Sequence, residues 1–96
     1  MPAYVIADVD VTDAERYADY SGQVSATLEP YGGRFLVRGG TTETVEGDWQ
    51  PGRLVIIEFP SMDALQGWYD SSEYQAILGI RNEAATTRLI RVEGVT

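Results

Sequence analysis

The stretch that decides the fold is "RLVIIEF" (53–59), the most apolar run in the chain. Successive side chains of an extended strand point to opposite faces. Val55, Ile57 and Phe59 then share one face, and Leu54, Ile56 and Glu58 share the other. The first set is wholly apolar; the second ends on a carboxylate. "AYVIADVDV" (3–11) divides the same way, with Val5, Ala7 and Val9 against Tyr4, Ile6 and Asp8. "RFLVRGG" (34–40) sets Phe35 and Val37 against Arg34, Leu36 and Arg38. In "TTRLIRVEG" (86–94), Ile90 and Val92 suit the apolar face, which leaves Leu89 and Arg91 on the mixed one.

Helical patterns separate these strands. Thr12 and Glu15 form a T-x-x-E capping box ahead of Ala14, Tyr17, Ala18, Ser21, Val24 and Leu28, which recur at helical spacing. Gly22 weakens that helix by roughly 1 kcal/mol relative to alanine. Pro30 and the Gly32-Gly33 pair stop it. Residues 41–52 form a long acidic connection with a short extended piece expected around Val45. Ser61 caps a short helix over 61–70. Ser72 and Gln75 box a longer one over 73–85, with Tyr74, Ile77, Leu78, Arg81 and Ala85 on one face.

The order is β-α-β-β-α-β, which predicts an α+β, ferredoxin-like domain with an antiparallel sheet ordered 4-1-3-2. The 96 residues suffice for one domain, 1–96. Strands two and four become edges, and they carry four of the seven arginines (Arg34, Arg38, Arg88, Arg91), as edge protection predicts. Both helices cover the apolar face, so the mixed face is bare in a monomer. A bare patch of that kind marks an interface or a ligand groove. The economical cover is a second copy, two mixed faces closing a barrel about a two-fold axis.

Composition narrows the chemistry. The net charge is −8, with no lysine, histidine or cysteine. A chain without a basic patch is not expected to bind nucleic acid or an anionic membrane. Disulfides, thiolate nucleophiles, lysine Schiff bases and histidine proton transfer are excluded. No apolar run approaches a membrane span, and "MPAYVIADVDV" lacks the layout of a signal peptide, so a cytoplasmic location is expected. "DVDVT" (8–12) looks like a phosphatase motif, but that chemistry needs a lysine and a far longer chain.

Taken together, "YGGRFLVRGG" (31–40), "EGDWQPGRLVIIEFPS" (46–61), "WYDSSEYQ" (68–75) and Arg81 resemble DUF1330, a bacterial family of unknown function within the dimeric α+β barrels. The resemblance spans essentially the whole chain. It implies a ferredoxin-like subunit and a homodimer, and it brings no established reaction. Relatives in the wider superfamily include cofactor-free monooxygenases, lactone isomerases and haem enzymes. No cofactor is expected here, since histidine, the usual haem ligand, is absent.

Arg38 and Glu58 are the candidate catalytic pair. An arginine facing the barrel can hold the carboxylate or enolate of a small ligand, and a partly buried Glu58 can act as general base. The competing reading is a structural ion network at the dimer interface. Tyr4, Trp49, Trp68 and Tyr69 are candidate pocket walls, with Asp8 and Arg34 as further ligand contacts; ordinary packing is the alternative for each ring. Arg81 is expected in a buried salt bridge. Asp8 with Asp10, and Glu43, Glu46 and Asp48, read as solvated carboxylates, and no metal site is expected. Two functions stay open. One is a homodimer binding a small organic molecule in its barrel cleft as a cofactor-free isomerase or monooxygenase. The other is a binding or interaction module without catalysis.

Overall fold

A computed structural model describes residues 1–95. The elements are β1 (Ala3–Val11), α1 (Ala14–Leu28), β2 (Arg34–Arg38), β3 (Arg53–Phe59), α2 (Met62–Tyr69), α3 (Ser72–Ala84) and β4 (Ala85–Glu93). The four strands form one antiparallel sheet ordered β2-β3-β1-β4, the expected arrangement read from its other edge. The apolar β-branched strands β1 and β3 are central.

Parity works as expected on these central strands. Val5, Ala7, Val9, Val55, Ile57 and Phe59 are buried, and the residues between them are only partly so. The helices pack on this face through Tyr17, Tyr20, Val24 and Leu28 of α1, Leu65 and Trp68 of α2, and Tyr74 and Ile77 of α3. Trp68 lies 4.1 Å from Tyr74 and 5.3 Å from Phe59, centroid to centroid, so three rings fill the middle of the core. Gly33 allows this packing to close: a Cβ there would stand 2.8 Å from the Phe59 ring and 2.9 Å from Leu28.

Parity fails on both edges. In β2, Arg34 pairs with Glu58 and Phe35 with Ile57, but Val37 then pairs with Ile56 and Arg38 with Val55. Leu36 is the extra residue of a β-bulge, and everything after it changes face. Val37 therefore lies on the mixed face, and Arg38 turns to the helix side, away from Glu58. In β4, α3 runs into the strand with no linker, and buried Ala85 opposite Val11 sets the register. Leu89 and Arg91 consequently lie opposite Ala7 and Val5 on the helix side. Ile90 and Val92 face outward, 60% and 42% exposed.

Helix starts shift by one residue from expectation. Asp13, not Thr12, caps α1 by accepting from the Arg16 amide, while the Thr12 hydroxyl donates to the Ala84 carbonyl. Ser71, not Ser72, caps α3; Ser61 caps α2 as predicted. A 3-10 turn, Glu29–Tyr31, follows α1, and Gly32 ends it at φ 70°, the left-handed geometry its position requires. Residues 40–50 form no strand, so the extended piece expected around Val45 is absent.

Candidate functional site

Two ion pairs form on the open face, while Asp10 at the end of β1 is exposed and has no partner among the described residues. Arg34 Nε donates to Glu58 Oε1 at 2.7 Å, and the Tyr4 hydroxyl donates to Glu58 Oε2 at 3.3 Å. Further along β1, Asp8 accepts from Trp49 Nε1, the Gly52 amide and Arg88 Nη2, all at 2.9 Å. These donors, Trp49 foremost, hold the Asp8 carboxyl below its ordinary range. The Trp49 indole thus pins the acidic 40–52 connection to β1, although the residue is 53% exposed. Of the expected site residues, the structure brings Tyr4, Arg34 and Glu58 together, and Asp8 with Trp49. Arg38 joins neither group.

Arg38 lies with Trp68 instead, along a cleft between the sheet and the helices. The cleft has about 30 Å³ of space that water can enter. Its walls include Tyr17, Tyr20, Phe35, Trp68 and Tyr74, and three arginines line it: Arg38, Arg53 and Arg81. No carboxylate does. Arg38 spans the gap from β2 to α1, stacked 4.2 Å over the Phe35 ring and donating to the Ser21 carbonyl at 2.7 Å. Arg53 lies 5.6 Å from the Tyr17 ring centroid. Gly39, at φ 73°, gives it room: a Cβ there would meet the Arg53 Cζ at 2.8 Å. Arg81 is buried and makes no salt bridge among the described residues, against expectation; Nη1 donates to the Tyr74 hydroxyl at 3.2 Å and Nη2 to Asn82 Oδ1 at 3.4 Å. Both Arg53 Nε and Arg81 Nε are buried without a hydrogen-bond partner among the described residues.

Such orphaned donors cost about 1–3 kcal/mol each, more on a charged group. The protein has fifteen acidic side chains. Its salt bridges among the described residues use Arg16, Arg34 and Arg88. The three cleft arginines are left uncompensated, an electrostatic setting suited to an anion.

Sequence reading missed Arg53, Tyr20 and the role of Arg81. Arg53 was accessible to it, since its odd number places it with Val55 and Ile57. The Leu36 bulge, which delivers Arg38, leaves no mark in the residue pattern. No group of three or more potential metal ligands occurs among the described residues, and no helix among them is long and apolar enough to cross a membrane.

A four-stranded antiparallel sheet with its helices on one face defines an α+β domain of the ferredoxin-like kind. The family model for "Domain of unknown function (DUF1330)" matches residues 2–95, and the chain belongs to that family. A search of curated proteins finds no match. Among solved structures, a protein of unknown function from Rhodopseudomonas palustris is similar at TM-score 0.78 and 24% identity, over 99% of this chain and 83% of that one. SnoaB from Streptomyces nogalater, a cofactor-independent oxygenase, is similar at TM-score 0.69 and 10% identity, covering 99% and 94%. A dimeric ferredoxin-like protein of unknown function from Thermobifida fusca is similar at 0.62 and 13%, covering 96% and 90%. At these identities the likeness is one of fold.

Proposed function

We propose that the protein is a homodimer that binds a small anionic organic molecule in the cleft between sheet and helices. The observation that carries this reading is the set of three arginines, Arg38, Arg53 and Arg81, which line one cleft without a carboxylate. A ligand carboxylate or enolate supplies the missing charge. Phe35, Trp68 and Tyr17 supply walls for its apolar part.

The open face is assigned to the second copy. Ile6, Leu54, Ile56, Ile90 and Val92 make it apolar, more so than parity on β4 suggested. Four of its ionic groups are paired as Arg34–Glu58 and Arg88–Asp8, so these can be covered without stranding a charge, and Asp10 at the strand end is left for the solvated rim. In this reading Tyr4, Asp8, Arg34, Trp49 and Glu58 serve the interface, and Arg38 and Trp68 serve the ligand. The fold shared with SnoaB makes cofactor-free oxygenation or isomerisation the reaction class to test first. Binding without turnover is the second reading. It is favoured by a cleft lining that offers no carboxylate, histidine or cysteine as a base.

Calorimetry with benzoate tests the site. The wild-type protein is expected to bind, with Arg53→Met weakening affinity by about tenfold or more, the loss expected for a charge-assisted hydrogen bond. Glu58→Gln should leave it unchanged. Binding that survives Arg53→Met but not Glu58→Gln would move the site to the open face.

A further inference from the structure

The cleft is nearly shut. The 30 Å³ that water can enter has room for about one water molecule, far less than an organic anion needs. The donors that await an anion are sealed as well: Arg53 Nε and Arg81 Nε are buried from solvent. Some wall must move before a ligand can enter, and the walls differ in what holds them. Tyr20, Trp68 and Tyr74 belong to the core, and shifting them breaks its packing. Arg38 is the one exposed residue in the lining. Its side chain crosses from the end of β2 to α1. One hydrogen bond, Nη2 to the Ser21 carbonyl at 2.7 Å, and the Phe35 ring beneath the guanidinium hold it there.

Resting on the anion-binding reading above, we infer that Arg38 is the door of the site: it swings off the Ser21 carbonyl to admit the ligand, whose anionic oxygen then replaces that carbonyl as its acceptor. Opening strands little. Ser21 lies within α1, so its carbonyl also accepts the helical bond from Ser25 and keeps a partner when Arg38 leaves. The guanidinium itself moves from an exposed position into water, not through the core. Closing over a ligand is favoured by charge. An anionic oxygen attracts a guanidinium more strongly than a neutral carbonyl does. Arg53 and Arg81 line the same cleft, so without an anion Arg38 closes onto like charge, and with one it closes onto opposite charge. The same side chain thus controls entry and pairs with what has entered.

Stopped-flow mixing with benzoate, read by tryptophan emission, tests the door by its rate. Arg38→Met should bind benzoate about tenfold faster than wild type and about tenfold more weakly, since a charged hydrogen bond is lost from both the closed door and the complex. Dissociation is then about a hundredfold faster. Loss of charge alone acts the other way, because it removes electrostatic steering and slows association. Arg38→Lys keeps the charge without the planar guanidinium that stacks on Phe35, and should speed association by a smaller factor. Arg53→Met, inside the cleft, should bind more weakly without binding faster. Association unchanged or slowed in both Arg38 variants makes Arg38 a fixed contact and overturns the inference, leaving the anion site standing. Equal acceleration in Arg53→Met overturns it too, since opening then does not belong to Arg38. Faster association of Arg38→Met with undiminished affinity contradicts the pairing with the ligand. Failure of benzoate to bind the wild-type protein overturns the anion site, and this inference with it.

Discussion

Arg81 shows how one side chain can be both buried and productive. It sits on the apolar side of α3, where a carboxylate partner would be expected, and it finds Tyr74 and Asn82 instead. Removing it leaves the Tyr74 hydroxyl without its donor and empties volume in the core. Arg81→Met preserves most of that volume, so it should fold while losing benzoate affinity by about tenfold. Calorimetry beside a urea melt separates the two effects. Asp8 makes the opposite case of a fully occupied group. Its carboxyl is held low by Trp49, Gly52 and Arg88. Stability from a depressed carboxylate is present above its unfolded pKa and lost as pH falls through the folded one. Acidification below about pH 4 should therefore release the 40–52 connection. Trp49 fluorescence should report the change, and Asp8→Asn should show it already at pH 7.

At the scale of elements, the central strands and the helix order were legible because burial on one face imposes strict alternation. The edges were not. An edge strand is paired on one side only, so it tolerates the Leu36 bulge that moves Arg38 across the sheet. On β4 the better apolar residues, Ile90 and Val92, suggested the wrong face. There the linker-free junction with α3 outweighed side-chain preference. Deleting Leu36 should restore the pleat, return Arg38 to the open face and weaken benzoate binding by about tenfold, as removal of one charged donor does. The helices also offer room for improvement. Gly22 in α1 and Gly79 in α3 are exposed, and a Cβ at either would meet nothing within 4 Å. Replacing either by alanine should stabilise the protein by about 0.5–1 kcal/mol, read from the urea midpoint.

For the molecule as a whole, the sheet separates two roles. One face and its helices make a core with a cationic cleft; the other is largely apolar and carries two ion pairs. Of the residues that the sequence offered as a site, Arg38 and Trp68 line the cleft, and the sheet divides them from the open-face residues with which they were grouped. If the open face is covered by a second copy, Ile90→Glu places an unpaired carboxylate in the interface. Sedimentation should then show a monomer where the wild-type protein is a dimer at micromolar concentration. The central claim, that the ligand sits on the helix side, is tested most directly by nuclear magnetic resonance of the arginine Nε–H groups during a benzoate titration. The signals of Arg53 and Arg81 should move with benzoate while those of Arg34 and Arg88 stay in place; movement confined to Arg34 and Arg88 would put the ligand on the open face instead.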